Sequence, residues 1–135
     1  AILRVKLKHL DSFNLARQKA AEFYDTAFKG VKAITIPAKM KSSTHIYHQY
    51  TLRVPATLRD KLKEHLGSLG IPSMVYYPVP VNRQKAYSHY RFPQKGFPVT
   101  DTLSEEVISL PMHTELDQEQ LNYITSAVIN FFKQN

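Results

Sequence analysis

The stretch GIPSMVYYPVPVNRQKAY at residues 70–87 decides how the chain is organised, because it contains a strand, the end of that strand and a polar loop. The run SMVYYPV has the composition of a strand, and Pro78 and Pro80 end it, since proline has no backbone N–H for a sheet ladder. Tyr76 and Tyr77 therefore lie where a strand opens into a proline-rich loop, and such loops often carry binding residues. A Tyr-Tyr pair on a strand is equally typical of one ring in the core and one at the surface.

The remaining segments predict an α+β fold, with a small, mostly antiparallel, three-stranded sheet and helices packed on it. Residues 45–55, HIYHQYTLRVP, form the first predicted strand and residues 107–110 the third. A helix follows Pro55, and a capping box of Asp117 and Gln120 begins the last helix.

Alternation along the first strand predicts one apolar face and one polar face. The two sets are Ile46, Tyr50, Leu52 and Val54 against His45, Tyr47, Gln49, Thr51 and Arg53. His45 and His48, three residues apart, point to opposite faces of a strand, so we do not expect them to share a metal ion. Arg53 could pair with a phosphate, but a surface salt bridge is the expected role.

A long helix is predicted over residues 1–30. Its apolar residues recur at steps of three and four: Leu3, Leu7, Leu10, Phe13, Ala16, Ala20, Phe23 and Ala27. Asp11 or Ser12 could begin a second helix and divide the first. Because Ala1 already belongs to the pattern and no initiator methionine or capping residue precedes it, we expect the chain to be part of a longer protein.

The composition limits the classes of function. With no cysteine, the chain has neither disulfides nor thiolate sites, which fits a cytoplasmic protein. No apolar run approaches the roughly 20 residues of a membrane span, and no export signal is recognised at the start. The formal charge of +7 is spread along the chain, which favours a generally cationic surface.

Two functions that involve no catalysis remain open on composition alone. A basic nucleic-acid-binding module would use Tyr47, Tyr76 and Tyr77 as stacking rings on the sheet. However, the sequence lacks the aromatic and glycine pattern of the common RNA-recognition sheet. A structural dimerisation domain would use the long first helix.

A complete catalytic constellation is not found in the sequence. It contains no G-x-S-x-G, glycine-rich phosphate loop or H-E-x-x-H motif. Glu105 and Glu106 are adjacent and are predicted to lie in the first turn of a helix, where their charge favours the helix dipole.

Four segments together resemble the C-terminal portion of a DegT-type nucleotide-sugar aminotransferase, a pyridoxal phosphate (PLP) enzyme of fold type I. They are AILRVKLKHLD, HIYHQYTLRV, GIPSMVYYPVPVNRQKAY and VISLPMHTELDQEQ, which occur in the family's order and spacing and cover nearly the whole chain. The segment YYPVPVNRQ most resembles enzymes that aminate a 3-keto UDP-sugar.

The resemblance implies a role for this chain. Residues 1–135 would form one domain, the small C-terminal domain, and residues 1–30 would be the helix that joins it to a large domain. That large domain would carry the Schiff-base lysine and hold PLP, so the resemblance assigns no catalytic or cofactor-binding residue here, and the chain alone is expected to be inactive.

The resemblance also implies site residues and partners. Tyr76 and Tyr77 match the position that closes the sugar pocket, and Asn82 and Gln84 match a frequent pattern that supports it from behind. Many relatives have histidine where this chain has Tyr76. The expected partners are a nucleotide sugar, in our expectation UDP-linked, an amino-acid donor such as glutamate, and a second copy in a homodimer. No membrane or nucleic-acid partner is expected.

Overall fold

The computed structural model of the protein describes residues 2–93 and 95–135. The elements found within these residues are α1 Ile2–Lys6, α2 Leu10–Phe28, β1 Tyr50–Arg53, α3 Ala56–Ser68, α4 Pro98–Glu106, β2 Val107–Leu110 and α5 Gln118–Gln134. Short 3-10 turns lie at Leu7–His9, Val81–Arg83 and Lys85–Tyr87. None of the helices in this described part is both long and apolar enough to cross a bilayer.

The predicted sheet of three strands is wrong in its strand number. β1 and β2 pair antiparallel, with Tyr50 opposite Leu110 and Arg53 opposite Val107. The predicted middle strand contributes one isolated bridge, in which Met74 exchanges backbone hydrogen bonds of 3.1 and 2.7 Å with Ser109. Since proline has no N–H, the prolines at 72 and 78 on either side of Met74 limit the ladder to this rung. The α+β class and the antiparallel pairing are confirmed.

Helices α2, α3 and α5 share one hydrophobic core with this pair of strands, which agrees with the predicted packing of helices on the sheet. Each helix places one stripe of side chains in the core: Ala20, Ala21, Tyr24 and Phe28 from α2, Leu62 and Leu66 from α3, and Leu121, Ile124, Val128 and Phe131 from α5. The capping box of Asp117 and Gln120 is present, with both reciprocal hydrogen bonds, and begins α5 where the sequence predicts.

The long first helix is divided, but the second helix begins after His9, slightly before the predicted caps Asp11 and Ser12. The 3-10 turn Leu7–His9 separates α1 from α2, and the Ser12 hydroxyl donates to the His9 carbonyl at 2.8 Å. Leu3 and Leu7 are 74% and 63% exposed, whereas Ala20 is buried. The predicted apolar face therefore enters the core only in the C-terminal half of α2.

The first strand begins at Tyr50, not at residue 45, and its alternation does not extend upstream. His48 N–H donates to the Ile46 carbonyl at 3.0 Å, which turns the chain, and Arg17 Nη1 donates to the Tyr47 carbonyl at 3.0 Å. As a result Tyr47 is buried and Ile46 is exposed, the reverse of the predicted faces. Tyr47 is thus not a surface ring on which a base could stack.

Helix α4 is longer than the helical turn the sequence suggests, because it begins with proline in its first turn at Pro98. Glu105 and Glu106 consequently lie in its last turn, so their predicted first-turn placement is wrong. The helix end is held by Arg59, whose Nη1 donates to the Ser104 carbonyl at 3.0 Å. The predicted salt bridge of Arg53 is confirmed, with Nη2 2.7 Å from Glu106 Oε2.

Candidate functional site

Tyr76 and Tyr77 lie at the mouth of a cavity of about 320 Å3 between the 76–84 segment and helix α4. Gln84 lines the same cavity, and Leu103 and Val107 contribute part of its apolar wall. The cavity exists because the chain leaves the sheet after Met74 and returns past α4 before β2. The 76–84 loop and helix α4 thus meet around a space large enough for a small ligand.

The two rings present different surfaces to that space. Their centroids are 5.9 Å apart with an interplanar angle of 72°, an edge-to-face arrangement, and the peptide bond between them is cis. Tyr76 is 41% exposed and Tyr77 is 75% exposed. A phenol offers an apolar face for the carbon-bound hydrogens of a ligand and a hydroxyl for hydrogen bonding. Together the rings can cover a polar, ring-shaped molecule.

Of the two residues predicted to support the tyrosines, Gln84 lies at the cavity and Asn82 does not. Gln84 Nε2 donates to the Val79 carbonyl at 3.2 Å, which holds the loop against itself. Asn82 is half-buried in the 3-10 turn Val81–Arg83, outside the set of described residues that line the cavity. Gln84 therefore shapes the wall of the cavity.

The sequence reasoning missed the ion pair that fixes this loop to α4. Arg83 Nη2 lies 2.9 Å from Asp101 Oδ1, although the approach does not have hydrogen-bond geometry. Asp101 stands in the first turn of α4, where a negative charge also favours the helix dipole. No local pattern links two residues this far apart in the sequence, so only the folded chain reveals the pair.

A second hollow, of about 300 Å3, lies on another side of Tyr76 and shares that residue with the first. Its rim includes His48, Gln49, Met74 and His113. The sequence analysis left His48 without a role. Within the described residues, no group of three or more His, Cys, Asp or Glu side chains is placed to hold a metal ion.

A partly buried polar network holds the segment before β1 against α2. Asp25 accepts a hydrogen bond of 2.7 Å from the Tyr50 hydroxyl, and Lys39 Nζ lies 3.1 Å from the other carboxylate oxygen. The hydrogen bond to Asp25 raises the pKa of Lys39. The pairing joins α2 to the 37–49 segment, which carries His48 and Gln49 to the second hollow.

Burial raises the pKa of three tyrosines in and around this network. Desolvation is the main cause for Tyr24, Tyr47 and Tyr50, because a buried phenolate is disfavoured. The Tyr24 hydroxyl donates to the Pro111 carbonyl at 3.0 Å. The Tyr47 hydroxyl is buried without a hydrogen-bond partner among the described residues. These phenols stay neutral at physiological pH.

Comparison with known proteins identifies the family. The sequence profile of the DegT/DnrJ/EryC1/StrS aminotransferase family matches residues 1–129. The chain belongs to this family. The DegT/DnrJ/EryC1/StrS match covers the tyrosine cavity, both strands and α5 up to residue 129.

The chain matches a similar share of each of three curated relatives in the family. The erythromycin biosynthesis sensory transduction protein EryC1 of Saccharopolyspora erythraea is 36% identical over 95% of this chain and 34% of its own length. The UDP-N-acetyl-3-dehydro-alpha-D-glucosamine 3-aminotransferase of Acidithiobacillus ferrooxidans is 36% identical over 94% and 33%. The dTDP-3-amino-3,4,6-trideoxy-alpha-D-glucose transaminase of Streptomyces venezuelae is 33% identical over 95% and 33%. The chain thus spans about a third of the length of these relatives.

Solved structures give the same fold. The chain superposes with a TM-score of 0.91 on S. venezuelae DesV in complex with a ketimine intermediate, at 31% identity over 98% of this chain and 35% of that one. It superposes with a TM-score of 0.86 on Spr1654 of Streptococcus pneumoniae in its PLP form, at 28% identity over 96% and 34%.

Aminotransferases of this family depend on PLP. That cofactor requires an amine with which its aldehyde forms an imine and a partner for its ring nitrogen. Among the described residues that line the tyrosine cavity, none is a lysine or a carboxylate. The cavity therefore does not fit PLP by itself, and we assign no cofactor ligand to this chain.

Proposed function

We propose that the chain is the small C-terminal domain of a PLP-dependent aminotransferase that moves an amino group from an amino acid, in our expectation glutamate, to a keto group of a nucleotide-linked sugar. The observation that carries this proposal is the family match over residues 1–129, combined with the open cavity at Tyr76 and Tyr77. The process served would be the synthesis of cell-surface polysaccharide or amino sugars.

Tyr76 and Tyr77 are the proposed contacts to the sugar. Their exposed rings meet edge to face at the mouth of a cavity whose wall is mostly apolar, an arrangement suited to the alternating hydrogens and hydroxyls of a pyranose. The proposed role of Gln84, and of Asn82 beside it, is to keep the loop behind the rings in place. The hydrogen bond from Gln84 to Val79 supports this role for Gln84.

The nucleotide is proposed to be UDP and the reacting carbon C3. One relative at 36% identity bears a name that describes a UDP-linked 3-dehydro sugar, which supports this choice. Another at 33% identity bears a dTDP-linked name. A UDP-linked and a dTDP-linked keto sugar are therefore the two substrates whose turnover should be compared.

We propose that another part of the protein holds PLP, supplies its Schiff-base lysine and binds the reacting carbon of the sugar. Ile2, Leu3 and Val5 on α1 are apolar and exposed, which supports the proposal that α1 packs against this other part of the protein. The working unit is proposed to be a cytoplasmic homodimer, with the first helix as the connection between domains.

Two measurements test the proposal. The protein that contains this chain, supplied with PLP and glutamate, is expected to convert a 3-keto UDP-sugar to the 3-amino sugar with stoichiometric 2-oxoglutarate, as seen by mass spectrometry. The 135-residue chain alone is expected to give no specific imine absorbance with PLP. Absence of amino-sugar product with both UDP and dTDP substrates, or a specific imine band from the chain alone, would overturn the proposal.

A further inference from the structure

The second hollow beside Tyr76 combines hydrogen-bond donors with an apolar wall. Three side chains on its rim always offer at least one N–H or O–H donor, namely His48, Tyr76 and His113, and Gln49 adds an amide. The first three are exposed, so their polar atoms are accessible to a ligand. Met74 and Met112 supply adaptable apolar surface between them.

The two histidines come from distant parts of the chain, and α2 holds both segments. Arg17 Nη1 donates to the carbonyls of Tyr47 and His48 at 3.0 and 3.3 Å. Further along α2, the Tyr24 hydroxyl donates to the Pro111 carbonyl at 3.0 Å. These bonds fix the backbone beside each imidazole before any ligand arrives, which lowers the entropy lost on binding.

The donor nitrogen of His113 follows from its contacts. The Glu115 backbone N–H donates to Nδ1 of His113 at 3.3 Å, so a neutral ring carries its proton on Nε2. The Glu115 carboxylate lies 3.6 Å from the same Nδ1 and would pair with the ring if it became charged. In both states Nε2–H remains a donor for a ligand in the hollow.

The charge of the lining indicates the class of ligand. Among the described residues that line the hollow, none is Asp or Glu, so no carboxylate of the lining repels an anion. A carboxylate has two oxygens that accept several hydrogen bonds but donates none when ionised, which matches a rim of donors. A short aliphatic chain attached to it would lie against the methionines.

We infer that this hollow binds the carboxylate of a small aliphatic acid, with His48 and His113 as donors to its oxygens. That the acid is the amino donor of the reaction rests on the proposed function; the binding of a carboxylate does not.

The test uses the 135-residue chain and glutarate as the probe, with its uncharged diamide and glucose as controls. Imidazole signals are followed by proton–nitrogen NMR. We expect glutarate to shift the His48 and His113 rings along a saturable curve, while His65, on α3 against Phe131, stays unchanged. The diamide and glucose are expected to shift neither ring.

Variants make the result decisive. His48→Asn and His113→Asn are each expected to weaken glutarate binding at least threefold, whereas His65→Asn leaves it unchanged. The inference is overturned if glutarate moves neither ring at about 50 mM, far above a millimolar dissociation constant, if glucose competes equally, or if all three variants bind alike. Aminotransferase activity of the whole protein is a separate measurement. Its absence would reject the proposed function and would leave the inference of carboxylate binding intact.

Discussion

Arg83 Nη2 and Asp101 Oδ1 are 2.9 Å apart, and this ion pair connects the loop behind the tyrosine cavity to the first turn of α4. Since Arg83 lies between Asn82 and Gln84, the pair restrains the whole 81–84 turn. It therefore links the loop on the tyrosine side of the cavity to the helix on the other side.

Replacing Arg83 with Gln is expected to loosen the cavity more than it destabilises the fold. The Arg83 side chain is about half exposed, and such pairs contribute about 0–1 kcal/mol to the free energy of unfolding. We expect faster amide hydrogen exchange at residues 82–87 and faster tryptic cleavage after Lys85, with little change in the urea midpoint. Arg4→Gln, on exposed α1, is the control; equal protection of the loop in both variants would contradict the role of the pair.

Removing the carboxylate of Asp25 is expected to destabilise the protein. Asp25→Ala leaves the Tyr50 hydroxyl without its acceptor, and an unsatisfied buried polar group costs about 1–3 kcal/mol. Lys39→Met removes only a half-exposed ammonium and is expected to cost about 1 kcal/mol or less. Urea unfolding measures both, with Lys41→Met as the unpaired control. An equal cost for Asp25→Ala and Lys41→Met would refute the network.

Arg59 is expected to be irreplaceable by lysine. Its Nη1 donates to the carbonyls of Ser104 and Val107 while its Nε lies 2.6 Å from Asp60 Oδ1, and a single lysine ammonium cannot occupy both positions. Both Arg59→Lys and Arg59→Met are therefore expected to lower the free energy of unfolding by about 1–3 kcal/mol. Thermal and urea denaturation test this, and wild-type stability of Arg59→Lys would show that charge alone suffices.

Alkaline pH is expected to weaken the fold. The folded pKa values of Tyr24, Tyr47 and Tyr50 are raised, so these phenols bind protons more tightly in the native state than in the unfolded state. Their contribution to stability is complete below the unfolded pKa of about 10 and is lost as pH rises above it. Urea unfolding between pH 8 and 11 should show the fall, and Tyr50→Phe should reduce it. A titration at 295 nm in which all eight tyrosines ionise together would contradict it.

Sequence patterns predicted the parts of the fold that depend on neighbours in the chain. The capping box of Asp117 and Gln120 and the strand at residues 107–110 lie where the pattern places them. The errors involve long-range contacts. Arg17 reaches across to residues 47 and 48 and turns Tyr47 inward, which no alternation rule contains. Likewise, neither the Lys39–Asp25 pair nor the Arg83–Asp101 pair has a local signature.

In the candidate site, too, local features were predicted from the sequence and long-range contacts were not. The position of Tyr76 and Tyr77 at the start of a loop was readable because Pro78 follows them directly, although the strand predicted before them is reduced to the single bridge at Met74. The wall that faces them was not, because α4 comes from residues some twenty positions later. The hollow with His48 and His113 joins segments more than sixty residues apart. Spacing along a strand gave no reason to link those two rings.

The proposal that Tyr76 and Tyr77 cover the sugar during amino transfer is tested by steady-state kinetics of the whole protein. For Tyr77→Ala we expect a KM for the nucleotide sugar raised about tenfold, equivalent to about 1.4 kcal/mol, with the half-reaction with glutamate unchanged. Tyr123→Ala, on the exposed face of α5, is the matched control. An unchanged KM in Tyr77→Ala and in Tyr76→Ala would contradict the claim.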